Sequence, residues 1–433
     1  MKDLGTMPER YGRHERHNFL MNTAEGASYI ASSGFIPAQT VLPALVSRLG
    51  GGNLAVGSVV AIVYVGVFLP QIFAARYVET LPWKKPWAIR FGLAQRFVVL
   101  LLGLEVLLLG ASYPTAALWL FLGLFSLNQI LGGVTTPGWF DLFAKLTPPD
   151  KRGRLAGFRK SLGGAAALIC GLVLTWLLST FLFPVGYAFA FFGAFVLQMI
   201  SLVTQVYLVE EEPSAALPRR PIFAFLGRLP DVIRRNVEFR NFIIASIFLI
   251  IATMPVGFFT VYALKSLHAN ESVVGQFTLM VVATQIVSAV VNGFIADRYG
   301  NKRALLVAAA GMCCASLSAL MAPSLEWFWL VFVFLGVNLG SELMTRYNIC
   351  IEFGPVQQRS TLIGLMNTVL SPFYLIGLVG GWLSNALGYH AVFLVGVVFS
   401  LIGMLLLALY VRDPRAHAMR TADAAPAVKR VVD

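Results

Sequence analysis

Residues 293–305 read GFIADRYGNKRAL. Asp297, Arg298, Lys302 and Arg303 crowd into this stretch, yet residues 273–296 before it and 304–325 after it are otherwise free of charge up to its edges. A helix crossing the hydrocarbon core of a bilayer needs about 20 mostly apolar residues. Two such runs joined by a short charged segment read as two spanning helices with their loop at a membrane surface.

The same pattern continues outward in both directions. The chain has 433 residues, of which 58% are hydrophobic and 12% charged. Soluble domains average roughly 45–50% apolar and about 25% charged residues. A mean hydropathy of +0.75 spreads the apolar excess through the chain. These figures exclude a water-soluble enzyme, a disordered chain and a secreted disulfide scaffold. The apolar runs are long and continuous, whereas an outer-membrane barrel alternates in segments of about 10 residues. An all-α membrane protein with twelve transmembrane helices is expected, with spans centred near Ile30, Val65, Leu101, Leu124, Ile169, Val196, Leu249, Val282, Ala310, Phe334, Leu375 and Val398. Cys170, Cys313, Cys314 and Cys350 all lie inside apolar runs without metal-ligand spacing, and read as small buried hydrophobes.

Charge sets the orientation. Of the 33 Lys and Arg, 29 fall in the tails and in alternate loops on one side, and only Arg48 and Lys265 on the other. Arg96 and Arg346 fall within spans. The positive-inside rule then puts both termini in the cytoplasm of a multi-pass inner-membrane protein. The net charge of +12 is explained by this bias towards anionic lipid, with no basic-aromatic pattern for nucleic acid. The polar, basic residues 1–16 read as a cytoplasmic tail and not as a cleavable signal.

Five segments are expected: the tail 1–16, a six-helix bundle over 17–209, a cytoplasmic linker over 210–239, a second six-helix bundle over 240–412, and a tail from 413 to 433. The linker opens on Glu210, Glu211 and Glu212. It continues into a basic amphipathic stretch with Phe225, Leu229, Val232 and Ile233 near helical spacing among Arg228, Arg234 and Arg235. A weak repeat relates the halves. Pro148, Arg152 and Gly157 follow the fourth span as Pro355, Arg359 and Gly364 follow the tenth, and AARYV around Arg76 is echoed by ADRYG around Arg298. Repeated halves with a solute site between them are a common transporter plan.

Gly293, Asp297, Arg298, Gly300, Lys302 and Arg303 resemble the signature loop of the major facilitator superfamily (MFS), G-x-x-x-D-R-x-G-x-basic-basic. The resemblance implies twelve helices in two bundles, alternating access, and a gating role for these six residues. Asp297 would latch the cytoplasmic side closed, facing a helix N-terminus or pairing with Arg298 or Arg303. The copy after the second span is degraded: Ala75 stands where the acid belongs, and VETLPW intervenes before Lys84 and Lys85. The fifth span also lacks the Gly-Pro signature of drug–proton antiporters in the superfamily.

Few charges lie at depth, and an ionisable group there usually faces a bundle interior or a water-filled path. Asn18, Asn22, Glu25, Tyr29 and Ser32 form one stripe on the first span. Glu25 is expected to carry a proton or contact solute, because a carboxyl at depth is a natural proton carrier. Asn338, Glu342 and Arg346 form a second polar face on the tenth span, with Glu342 and Arg346 spaced to pair, and Glu342 is a second proton-coupling candidate. The resemblance places both helices at the central cavity. Asn128 and Trp139 of the fourth span complete the expected solute contacts: Asn22, Glu25, Tyr29, Asn128, Trp139, Asn338, Glu342 and Arg346. Arg96 and Glu105 are on the third span, which the resemblance implies lies on the outside of the bundle, so pairing, snorkelling or packing is expected of them rather than solute contact. No catalytic constellation, metal cluster or phosphate-binding motif is present, so no enzyme, cofactor or metal is expected.

The reading that results is a secondary active transporter of a small organic solute, proton-coupled or driven by another ion, acting as a monomer. Few free cations suit a weakly charged or amphipathic solute better than a phosphorylated one. The alternatives are a drug-type efflux pump and a non-transporting membrane scaffold.

Overall fold

The computed structural model describes residues 14–214, 236–353 and 359–411. The amphipathic linker stretch, most of both tails and Pro355 lie outside the described residues. Among those described there are fifteen α-helices and no strand. They are α1 (Glu15–Ser32), α2 (Val41–Arg48), α3 (Asn53–Glu79), α4 (Lys85–Leu109), α5 (Pro114–Leu146), α6 (Arg152–Thr180) and α7 (Val185–Val206). The second half has α8 (Val237–Ile251), α9 (Val256–Ser266), α10 (Ser272–Tyr299), α11 (Asn301–Met321), α12 (Leu325–Glu352), α13 (Arg359–Leu370), α14 (Ile376–Leu387) and α15 (Tyr389–Tyr410). A 3-10 turn, Ser371–Leu375, joins α13 to α14.

Among the described residues, eleven segments are long and apolar enough to cross a membrane. The expected first span is not among them, because its polar stripe is too dense and the helix is broken. It is made of α1 and α2, separated by residues 33–40. The seventh span is broken in the same way between α8 and α9, and the eleventh by the 3-10 turn. Each break holds a proline, Pro37, Pro255 or Pro372. Proline has no N–H to donate and its ring clashes with the preceding turn, so an α-helix cannot run through it undisturbed.

Helix pairings repeat between the halves. In the first, α4 packs on α5 and α7, and α1 on α7; in the second, α11 packs on α12 and α15, and α8 on α15. Across the boundary, α3 packs on α14 and α6 on α10. Contacts between halves gather at the end of the bundle away from the tails. A Cβ on Gly57 would lie 2.0 Å from the Gly377 carbonyl oxygen, so bare backbones meet there. Asn53 donates to Asn385 Oδ1 at 2.9 Å and accepts from Tyr389 at 2.8 Å. Thr40, just before α2, shares a 2.6 Å hydrogen bond with Thr278 of α10. Arg48 pairs with Glu271 at 2.8 Å. Nearer the tail end, a Cβ on Gly157 or Gly293 would meet open space.

Gly57→Val should wedge α3 from α14. Overpacking of this kind costs about 1–3 kcal/mol. A fall in apparent melting temperature of the purified protein checks this, and an unchanged value contradicts the close approach.

Candidate functional site

The three helix breaks converge on one cavity between the halves. Its lining includes Gln39 from the first break, Thr253 from the second and Tyr374 from the 3-10 turn. Its enclosed volume is about 30 Å³, and about 510 Å³ counting the solvent-open space at its mouth, so a solute larger than water must widen it. Tyr64 of α3 stacks on Tyr374 with ring centres 4.0 Å apart, so both halves contribute to one aromatic wall. Opposite stand Asn338, Glu342 and Arg346 of α12.

Glu342 and Arg346 are hydrogen-bonded and ion-paired, one turn apart on α12. A second Arg346 nitrogen donates to the Tyr374 hydroxyl at 3.0 Å. Its Nε is buried and has no hydrogen-bond partner. A guanidinium carries five donors in a fixed fork, so this one keeps a donor unused among the described residues. Asn338 lines the same cavity, but its amide nitrogen is committed to the Ala308 carbonyl at 2.9 Å, a bond between α12 and α11.

The first-span residues lie elsewhere. Glu25, Tyr29 and Trp139 line a separate cavity inside the first half, about 860 Å³ with its open mouth. Glu25 Oε2 lies 2.7 Å from Arg159 Nη1. Arg159 was counted above with the loop charges. It sits two turns into α6 and is 8% exposed, which corrects that assignment. Its Nη1 donates to the Asn22 backbone oxygen at 2.9 Å and lies 3.3 Å from Asn22 Oδ1. The guanidinium packs 4.7 Å from the Trp139 ring centre. Gly26 makes room for it: a Cβ there would lie 2.0 Å from Arg159 Nε. The signal in the sequence was the glycine beside Glu25 and a sixth helix longer than a span requires.

Arg96 is also buried. It donates to the Gln198 carbonyl at 2.8 Å, to the Gly92 carbonyl at 2.9 Å and to Ser201 Oγ at 3.3 Å. Ser201 in turn reaches Glu25 at 3.4 Å. Glu105 is buried as well, with neither carboxylate oxygen hydrogen-bonded. Asn128 lines neither of these cavities. Its amide donates to the Gln95 carbonyl at 3.0 Å and ties α5 to α4.

The charged turn between α10 and α11 has a defined geometry. Gly300 takes φ +92°, which side-chain-bearing residues avoid. Arg298 and Arg303 each place their guanidinium 5.5 Å from the Tyr299 ring centre. Neither forms an ion pair with Asp297 among the described residues, so that expected pairing is absent in this state. Lys302 donates to the Ala408 carbonyl at 2.8 Å, where a cation suits the C-terminal end of α15. In the first half, where Ala75 leaves no acid, Glu210 of the linker supplies one. Its carboxylate accepts from the backbone N–H groups of Lys84 and Lys85 at 3.1 and 3.0 Å, and from Lys145 Nζ at 2.8 Å. An anion is thereby set against the N-terminus of α4. Burial pushes the neighbouring Lys84 amine below its usual range, against the opposing pull of Asp141.

The sequence matches the family described as Major Facilitator Superfamily over residues 21–369, and again over 241–432. The chain belongs to the major facilitator superfamily. It is similar to the 4-hydroxybenzoate transporter PcaK of Acinetobacter baylyi, 28% identical over 165 residues, covering 38% of this chain and 36% of that one. It is also similar to the niacin transporter NiaP of the same organism, 28% identical over 109 residues and 25% of each chain. The chain thus spans about a third and a quarter of the curated relatives it matches. Among solved structures it resembles the nucleoside transporter NupG, with a TM-score of 0.67 at 11% identity, covering 91% of this chain and 100% of that one. A bacterial homologue of ferroportin in its inward-facing state gives 0.60 at 16% identity, covering 92% and 98%. These matches are transporters, and the protein is a multi-pass MFS membrane protein.

Removing one partner of a buried ion pair costs about 3–5 kcal/mol, whereas replacing both with apolar groups is often neutral. Arg346→Met should therefore lower thermal stability strongly, and Glu342→Leu with Arg346→Met should recover most of the loss. A double variant no more stable than the single one contradicts the pairing.

Proposed function

We propose that the protein moves a small organic anion, of the aromatic monocarboxylate kind, across the inner membrane by proton-coupled alternating access. The observation that carries this reading is the buried, unpartnered Nε of Arg346 beside the stacked Tyr64 and Tyr374, where three broken spans meet. Broken helices near the midplane free backbone groups for a solute, and transporter sites are often built this way. A carboxylate takes the free donor of Arg346, and an aromatic ring lies along the tyrosine wall. The solutes named for the two relatives, 4-hydroxybenzoate and niacin, are both aromatic carboxylic acids, which supports the class.

The two six-helix bundles act as the rocking halves, joined by the linker. The tail end is the cytoplasmic one by the positive-inside rule. The contacts at Gly57, Thr40, Asn53 and Arg48 then close the outer side, and the state is inward-facing. The unpaired Asp297 fits that state, since its latch forms only when the cytoplasmic side closes. Glu342 is the coupling carboxyl at the solute site: protonation releases Arg346 for the solute. Glu25 is the coupling carboxyl of the first half, held by Arg159.

Uptake of radiolabelled 4-hydroxybenzoate and nicotinate into proteoliposomes with an imposed pH gradient tests this. Hydrogen bonds to charged groups are worth about 1.5–3 kcal/mol, so Arg346→Gln should cut flux about tenfold or more. Collapse of the pH gradient should abolish accumulation. Flux of neither acid in the wild type, or full flux in Arg346→Gln, overturns the reading. In the same assay Asp297→Asn should slow transport while expression and melting temperature hold; undiminished rates would remove the latch.

A further inference from the structure

The first-half cavity does more than house Glu25. Two guanidinium groups, Arg96 and Arg159, face it with one carboxylate, Glu25. The donors of Arg96 are taken by neutral acceptors, the Gln198 and Gly92 carbonyls and Ser201 Oγ. Glu25 lies against Arg159 and also reaches Arg96 through Ser201, so one carboxylate serves two guanidinium groups and the lining carries one positive charge in excess. A buried charge lacking its counterion is costly. Donors are in surplus too. Gln205 lines the cavity with its side-chain amide nitrogen buried and unpartnered, and the amide nitrogen of Asn22, beside Arg159, is likewise unpartnered. The walls are aromatic: Trp139 under Arg159, Tyr29 whose ring centre is 5.7 Å from the Arg96 guanidinium, and Phe140, which is 55% exposed. The cavity volume, about 320 Å³, is at the lower end of what a small ligand needs and well above a single water.

We infer that this cavity is a second anion site, taking a small aromatic carboxylate between Arg159 and the rings of Trp139 and Tyr29. It shares no lining residue with the central cavity. A single surplus positive charge matches a monoanion, whereas a phosphate dianion would need more cationic donors and an organic cation would be repelled. The ligand carboxylate accepts from Arg159 and from the free amide of Gln205, and its ring packs on Trp139. The inference rests on the solute class proposed above, and it gives the protein two stations for that class.

The test is equilibrium dialysis of radiolabelled benzoate against the full-length protein in lipid nanodiscs. The wild type should bind two benzoates per chain. Arg159→Gln should remove one of them, Arg346→Gln the other, and Trp139→Leu should weaken the first-half site about tenfold. Trp139→Leu leaves the Glu25–Arg159 pair in place, so it decides the matter if Arg159→Gln fails to fold. A single wild-type site that is lost in Arg346→Gln but kept in Arg159→Gln and Trp139→Leu overturns the second site and leaves the central one standing. No benzoate bound by the wild type overturns both this site and the proposed solute class.

Discussion

A charge held at depth in a hydrocarbon slab costs several kcal/mol unless something answers it. The architecture of this protein follows from how it meets that cost at two places. On α12, Arg346 is answered by Glu342 one turn away and by the Tyr374 hydroxyl. In the first half, Arg159 is answered by Glu25 and by the oxygens of Asn22. Each answer draws together elements distant in sequence. Tyr374 brings the 3-10 turn of the eleventh span to α12, and Arg159 brings α6 to α1. A scaffold with no solute to handle would gain nothing by keeping such pairs in the bilayer, since apolar side chains of similar volume would pack there as well or better.

The closed end shows the complementary device. The alternating access proposed above requires halves that can part and meet again. Here the contact combines bare backbone at Gly57 and Gly377 with a few polar links, Thr40 to Thr278 and Asn53 to Asn385. At the other end Lys302, Asn301 and Glu210 bind within their own halves, to Ala408, Glu352 and the start of α4. They stiffen each half.

Much of this was legible in the sequence, and the exceptions have physical causes. Spans were readable because apolar length is a strong constraint in a bilayer. The Glu342–Arg346 pair was readable because helical spacing alone puts those residues together. The breaks in the seventh and eleventh spans are marked by Pro255 and Pro372, yet hydropathy runs smoothly through them and hides them, whereas the first, at Pro37, follows a helix already too polar to stand out. Arg159 was misplaced because a basic residue near the tail side adds to the loop charge whether it faces water or the bundle. Asn128 lines neither cavity, because an amide satisfies a neighbouring helix carbonyl as readily as a solute, and the direction it takes depends on a small rotation of the helix. Tyr64 and Tyr374 meet only through the packing of the halves, which no local pattern records.

The central claim is that the two halves rock about the cavity at Arg346. Double electron–electron resonance between spin labels at Glu79→Cys and Arg240→Cys reports on the tail end, and labels at Leu54→Cys and Leu387→Cys report on the opposite end. As benzoate and acid are added together to protein in nanodiscs, the account predicts that the first distance shortens while the second lengthens. Distances that stay fixed at both ends, or that move in the same direction, would contradict it.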